Sequence, residues 1–87
     1  MKTVQFEDAA YSDFVNWGTI NKAIFKKIAD LVKDIDRNGV NTGIGKPEPL
    51  KHNLTGYWSR WITNEHRLVY KIENEIIVIP QCKGHYK

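Results

Sequence analysis

The sequence contains very little cysteine: Cys82 is the one residue of its type among 87. A single thiol cannot form an intramolecular disulfide, which excludes a disulfide-stapled secreted fold. No apolar run approaches the roughly 18 residues that span a bilayer, and the opening MKTVQFED lacks the apolar stretch and cleavage site of a secretory signal peptide. We therefore expect a cytoplasmic protein that does not enter the membrane.

The chain also lacks repeats, low-complexity tracts and any obvious linker. Its length suits one domain over residues 1–87, and a chain this short buries a little over roughly 60% of its unfolded surface. The net charge of +3 and the pI of about 9.1 permit a polyanionic partner without requiring one.

A metal site is not expected from the ligand spacing. Zinc sites need about four ligands at characteristic intervals, and Cys82 and His85 form the only close pair among the three histidines and one cysteine. We expect no metal and no cofactor.

The first half of the chain predicts one strand and two helices. KTVQF alternates as a strand does, and helical spacing follows from Asp8 to Trp17, with Gly18 at the expected C-terminal cap. A second helix is predicted by an apolar stripe that covers three turns. Its members are Ile24, Ile28, Leu31, Val32 and Ile35. The charged opposite face, which includes Asp34, is interpreted as a solvated surface.

The second half predicts strands after a loop, NGVNTGIGKPEP, that is rich in glycine and proline. In GYWSRWIT, alternation puts Trp58, Arg60 and Ile62 on one face; RLVYKI alternates again, and residues 76–82 form a buried strand. The predicted fold is α+β: a small, twisted, mainly antiparallel sheet with two N-terminal helices packed on one face.

Several polar residues have no evident structural role in this scheme. They are Glu48, Lys51, Arg60, Arg67, Lys83, His85 and Tyr86. Glu48 stands between two prolines, which stiffen its loop. Arg67 points away from the Leu68 face, and the tail leaves the neighbouring strand, so a carboxylate, guanidiniums, an imidazole and a phenol can meet on one open sheet face.

Such a set suits an RNase in which the ribose 2′-OH is the nucleophile. A carboxylate and an imidazole act as base and acid, and positioned cations stabilise charge that develops on phosphorus. The residues alone leave simpler readings open. Glu48 could instead pair with Lys46 or Lys51 on the surface, and His52 and His66 could be structural or exposed.

The stretch GKPEPLKHNLTGYWSRWITNEHRLVY resembles the YoeB/Txe family of toxins from toxin–antitoxin systems, in the RelE/ParE superfamily. The family pattern has GKPEPLK, a WSRR strand, EHRL followed by a valine or isoleucine and a tyrosine, and a final HY. The resemblance extends through FKKIADLVKDIDR and covers nearly the whole chain.

The resemblance implies a ribosome-dependent mRNA endonuclease that leaves a 2′,3′-cyclic phosphate and needs no metal. It implies Glu48 as general base, His85 as general acid, Arg67 as transition-state stabiliser and Tyr86 as a substrate-positioning group. Lys51 would add charge beside the scissile phosphate; Arg60 and Lys83 are the further substrate-binding candidates. The implied partners are the ribosome with its mRNA and a YefM/Axe-like antitoxin. A homodimer is compatible with the sequence, which does not give the oligomeric state.

Two departures from the family pattern keep alternatives open. Trp61 stands where a second arginine is usual, and Lys87 follows the tyrosine at which family chains commonly end. The missing cation could weaken turnover or shift its role to Arg60. The alternatives are a non-enzymatic ParE-like poison of a topoisomerase and a weakened toxin that acts mainly as an antitoxin-bound repressor partner. Gly84 is expected to leave the tail unusually free.

Overall fold

The computed structural model of the chain describes residues 1–85. In chain order the elements are β1 (Thr3–Phe6), α1 (Asp8–Ile20), α2 (Lys22–Asn38), β2 (Glu48–Pro49), a 3₁₀ turn (His52–Leu54), β3 (Trp58–Trp61), β4 (Arg67–Glu73) and β5 (Ile76–Gln81). The strands form one sheet in the order β1-β5-β4-β3-β2, in which β1 runs parallel to β5 and the other neighbours are antiparallel. The predicted α+β fold is confirmed.

The two helices meet at a tight reversal around Asn21. The Asn21 side chain accepts a hydrogen bond from the Ile24 N–H and so caps α2. The expected end of α1 at Gly18 is wrong, because the helix continues to Ile20. Gly18 instead allows close packing: a Cβ there would lie 3.3 Å from the Phe25 ring.

The core lies between the helices and one face of the sheet. All five stripe residues of α2 are buried in it, as the 3.6-residue period predicts. From β4, Leu68 and Tyr70 point into this core, so the alternating Arg67 and Val69 project from the other face. Within residues 1–85, neither helix is long and apolar enough to cross a bilayer.

An irregularity in β5 sets the direction in which the chain leaves the sheet. Val69 pairs with Gln81 while Lys71 pairs with Val78, so β5 carries one extra residue between those pairs. Pro80 lies in this interval and has no N–H to give to a ladder, which is where a strand tolerates proline. A bulge of this kind bends and twists its strand, here just before the C-terminal segment.

Candidate active site

Glu48 and Arg67 meet on the face of the sheet that points away from the helices. Glu48 in β2 pairs with Ser59 in β3, and Trp61 in β3 pairs with Arg67 in β4. Side chains two residues apart on a strand share a face. The Arg67 guanidinium accordingly donates through Nη2 to both the Glu48 carboxylate and the Ser59 hydroxyl.

The Arg67 guanidinium is held and largely covered. Its Cζ lies 4.0 Å from the centre of the Trp61 ring, a cation–π distance, and Arg67 is only 4% exposed. The Glu48 side chain, by contrast, is 50% exposed. The arrangement is a fixed cation beneath an accessible carboxylate. Glu48 pairs with Arg67 here, in place of the surface partners that the sequence also allowed.

His85 also contacts the ring of Trp61. The two ring centres are 6.2 Å apart at 86°, an edge-to-face contact, and His85 is exposed. Trp61 therefore contacts both a predicted stabilising cation and the predicted acid. The sequence did not indicate this arrangement, because it follows from the strand register and the path of the tail. Tyr86, and Lys87 after it, lie outside the described residues.

The two lysines of the predicted site lie apart from one another. Lys51 is exposed and immediately precedes the 3₁₀ turn, two residues beyond the end of β2. Lys83 is exposed beside α1, where it lines a cavity of about 170 Å³ with Asp13, Asn16 and Trp17. Their roles in substrate binding stay predictions.

The prediction that Arg60 binds substrate is corrected by its surroundings. Arg60 is 0% exposed, and its five N–H donors all have partners inside the protein. Nε donates to the Tyr70 hydroxyl at 2.8 Å, and Nη1 donates to Asp34 at 2.5 Å. The remaining bonds go to the backbone carbonyls of Ile44, Gly39 and Thr42. No donor is left for an RNA phosphate.

The buried Arg60 instead organises the loop between α2 and β2. Its three carbonyl partners lie in this loop, and the Tyr70 hydroxyl donates to a fourth, on Val40, at 2.6 Å. The hydrogen bond from Arg60 lowers the pKa of the Asp34 carboxyl, while burial raises the pKa of the Tyr70 phenol. Asp34, which the sequence placed on a solvated face, is thus the counter-ion of a core arginine.

The segment before His85 is anchored, contrary to the freedom expected of Gly84. The Gly84 N–H donates to His66 Nδ1 at 2.8 Å, and its carbonyl accepts from the Arg67 N–H at 2.9 Å. Gly84 adopts φ of +73°, which explains why glycine suits this position. Within residues 1–85, no group of three histidine, cysteine or carboxylate side chains is arranged to hold a metal ion.

Comparison with known proteins agrees with this architecture. The family model described as "YoeB-like toxin of bacterial type II toxin-antitoxin system" matches residues 6–86. The chain belongs to this toxin family. Toxin YoeB of Escherichia coli is 48% identical over 86 residues, which cover 99% of this chain and 100% of that protein. The family resemblance drawn from the sequence is confirmed.

Solved structures of family members have the same fold. The toxin chain of a YoeB-YefM complex from Staphylococcus aureus superposes with a TM-score of 0.93 at 50% identity, covering 99% of each chain. A YoeB dimer from the same organism gives 0.92 at 49% identity, covering 98% of each chain. This protein is therefore a toxin of the YoeB family from a type II toxin–antitoxin system.

Proposed function

We propose that this toxin is a ribosome-dependent endoribonuclease that cleaves mRNA by attack of a ribose 2′-OH on the adjacent phosphate. The observation that carries the proposal is the contact of Glu48 with Arg67 on the open sheet face, together with Trp61, whose ring contacts both Arg67 and His85. A base, a cation and an imidazole on one surface form the set that this reaction needs.

In the proposed step, the Glu48 carboxylate accepts the proton of the 2′-OH as the oxygen bonds to phosphorus. The P–O5′ bond then breaks, and the His85 imidazolium donates its proton to the leaving 5′ oxygen. Arg67 stabilises the extra negative charge on the phosphoryl oxygens in between. The products are a 2′,3′-cyclic phosphate and a 5′-hydroxyl, and no step uses a metal ion. Tyr86 remains the candidate for positioning the substrate.

Because neighbouring groups cover the Arg67 guanidinium, this mechanism requires one of them to move when the substrate binds. Arg67 is 4% exposed, and the Glu48 carboxylate and the Trp61 ring are among the described groups that cover its guanidinium, so a phosphate must compete with such groups to reach it. Phosphate and carboxylate are both anions and compete for the same donors. We infer that Glu48 turns from Arg67 toward the 2′-OH as the scissile phosphate binds, which frees the carboxylate at the moment it must act as a base.

Most of the rate should come from the way the substrate is held. A carboxylate is a weak general base for a sugar hydroxyl, so proton removal alone accounts for little of the rate. Orientation can supply about 7–11 kcal/mol of a barrier, and a ribosome that holds the mRNA rigidly can provide it. We expect strong cleavage on translating ribosomes and poor cleavage of free RNA; equal rates on both would contradict the ribosome requirement.

Primer extension on translating ribosomes tests the reaction. Wild-type toxin should give codon-phased cuts, and His85→Ala should lose them by about 10²–10⁴-fold, the usual contribution of a general acid or base. His52→Asn is the matched control: His52 is exposed in the 3₁₀ turn at φ of +60°, a backbone shape that asparagine tolerates. Growth arrest with intact mRNA would overturn the nuclease proposal and favour a topoisomerase poison.

We further propose an antitoxin of the YefM type and a homodimer as the assemblies of this chain. The proposal is supported by the Staphylococcus aureus relatives, which are described as a YoeB-YefM heterotetramer and as a YoeB dimer. Co-expression with the neighbouring antitoxin reading frame should yield one co-eluting complex without cleavage activity. Separate elution of the two chains would contradict it.

A further inference from the structure

The segment between β5 and His85 is held by hydrogen bonds to two other parts of the fold. Trp17 of α1 donates through Nε1 to the Cys82 carbonyl at 3.0 Å. His66 Nδ1 accepts the Gly84 N–H, and the Arg67 N–H donates to the Gly84 carbonyl. Both polar groups of the Gly84 backbone are therefore bound by two consecutive residues, His66 and Arg67.

His66 has no part in the proposed mechanism, yet its ring is placed by specific contacts. It is partly buried and meets the Trp17 ring edge-on, with centres 4.9 Å apart. The ring takes part in the anchor through Nδ1, which accepts the Gly84 N–H at 2.8 Å. The His66 backbone carbonyl separately closes the β3–β4 turn by accepting from Ile62 and Thr63, so substituting the side chain leaves those bonds in place.

We propose that His66 is a positioning residue for the reaction: by accepting the Gly84 N–H, it fixes the direction of the tail and holds His85 against Trp61. This inference rests on the proposed role of His85 as the general acid. The structural reason is that His66 and Arg67 are adjacent in the chain. The residue that follows His66 carries the guanidinium of the site, so one two-residue segment fixes the acid and the cation relative to each other.

The position of the His85 imidazole should have a large effect on the rate of cleavage. A misplacement of about 1 Å can cost on the order of 10²-fold in rate, even when its cause lies away from the reacting atoms. A tail free to rotate about residue 84 would move the His85 imidazole by more than that. Loss of the His66 acceptor should therefore lower kcat and leave KM nearly unchanged, because the predicted substrate contacts of Arg67 and Lys51 do not depend on the His66 ring.

Two substitutions of His66 separate positioning from packing. His66→Asn keeps an acceptor oxygen near the place of Nδ1, whereas His66→Leu fills similar space without an acceptor. We expect His66→Leu to lower kcat on ribosomes by about 10²-fold with KM changed less than about threefold. We expect His66→Asn to recover most of the wild-type kcat.

Hydrogen exchange of the Gly84 amide supplies a readout that does not depend on activity. The amide should be protected in the wild type and in His66→Asn, and it should exchange rapidly in His66→Leu. If the wild type does not cleave mRNA, the proposed function fails, and the exchange pattern still shows whether His66 holds the tail. Unchanged protection in His66→Leu, or equal loss of kcat in both variants, overturns the inference.

Gly84→Ala provides a second test if His66→Leu folds poorly. A Cβ at Gly84 meets no atom within 4 Å, so the substitution introduces no clash, but φ of +73° is a strained conformation for alanine. The tail should leave this conformation, and kcat should fall while the thermal midpoint stays near the wild-type value. If Gly84→Ala keeps the wild-type kcat although the amide at position 84 loses its protection from hydrogen exchange, the inference is overturned, because the anchored tail is then dispensable.

Discussion

Arg60 and Arg67 lie on neighbouring strands, are both almost completely buried, and have opposite surroundings. Arg60 faces the helices, where all five of its donors are bound inside the protein. Arg67 faces away from the helices and contacts a half-exposed carboxylate and the ring of Trp61. Burial alone therefore does not tell whether an arginine is structural or functional.

The side of the sheet decides between the two roles. On the helix side, a guanidinium lies among backbone carbonyls and a carboxylate whose positions it fixes, so it links α2, the following loop and β4. On the open side, the partners of the guanidinium can move apart without unfolding the core, because Glu48 belongs to a two-residue edge strand. The same substitution at the two positions should accordingly produce two different losses.

The largest effect is expected for Arg60→Met. Removing one partner of a buried ion pair typically costs about 3–5 kcal/mol, a large part of the 5–15 kcal/mol that stabilises a small domain. Here Asp34, the Tyr70 hydroxyl and three carbonyls would lose a donor together. Urea unfolding should show a free energy of unfolding lower by about this amount. A loss below about 1 kcal/mol would contradict the structural role.

Arg67→Met should remove activity and leave a folded protein. The Glu48 carboxylate can turn to water when its partner is removed, so the stability cost should be smaller than at Arg60. Loss of one group that stabilises transition-state charge usually lowers kcat by about 10²–10³-fold. Ribosomal cleavage and urea unfolding, measured on both methionine variants, give the test. A folded Arg67→Met toxin with wild-type cleavage would contradict the assignment of the site.

The sequence predicted the periodic elements well and the non-periodic contacts poorly. The α2 stripe and the alternation of β4 required only local spacing. Arg60 was misassigned although the same alternation put it on one face with the apolar Trp58 and Ile62, which was the available indication of burial. Its counter-ion Asp34 comes from another element, and its carbonyl partners come from a loop without periodicity. Such partners depend on tertiary packing, which spacing within one segment does not specify.

In the candidate site, too, the sequence predicted some features and missed contacts that depend on tertiary packing. The sequence showed that proline-flanked Glu48 and the strand residue Arg67 can meet on one face, and the structure brings them into contact. The anchoring of Gly84 was missed because His66 acts through one ring nitrogen on a backbone amide 18 residues away. Glycine in a sequence indicates conformational freedom, but only the tertiary structure shows whether that freedom is used for a fixed turn.

The pH dependence of stability tests the ion pair between Asp34 and Arg60. The hydrogen bond from Arg60 holds the pKa of Asp34 below its ordinary value near 3.8. A carboxyl whose pKa is lower in the folded state stabilises the protein above the unfolded pKa, and this stabilisation is lost as pH falls through the folded value. Asp34→Asn should therefore lower stability at pH 6 and flatten its decline below about pH 4.

The exposed Lys26–Asp30 pair on the same helix provides the control for that experiment. Surface ion pairs contribute about 0–1 kcal/mol. Asp30→Asn should therefore change the free energy of unfolding by less than about 1 kcal/mol, both at pH 6 and at pH 3. An acid decline in Asp34→Asn as steep as in the wild type would contradict the coupling of Asp34 to the buried guanidinium.

The smallest effect is expected at Trp61, where the family pattern that the sequence resembles has an arginine. Arg60 cannot take over that missing cation, since its donors are bound in the core. Trp61 instead packs on the Arg67 guanidinium and on His85, and a cation–π contact contributes about 0.5–2 kcal/mol, equivalent to a 2- to 30-fold effect. Trp61→Ala should lower kcat within that range, and Trp61→Phe should recover part of it. A loss as large as that of Arg67→Met would mean that the ring itself contacts the substrate, whereas no loss would mean that Glu48 and Ser59 suffice to hold the guanidinium.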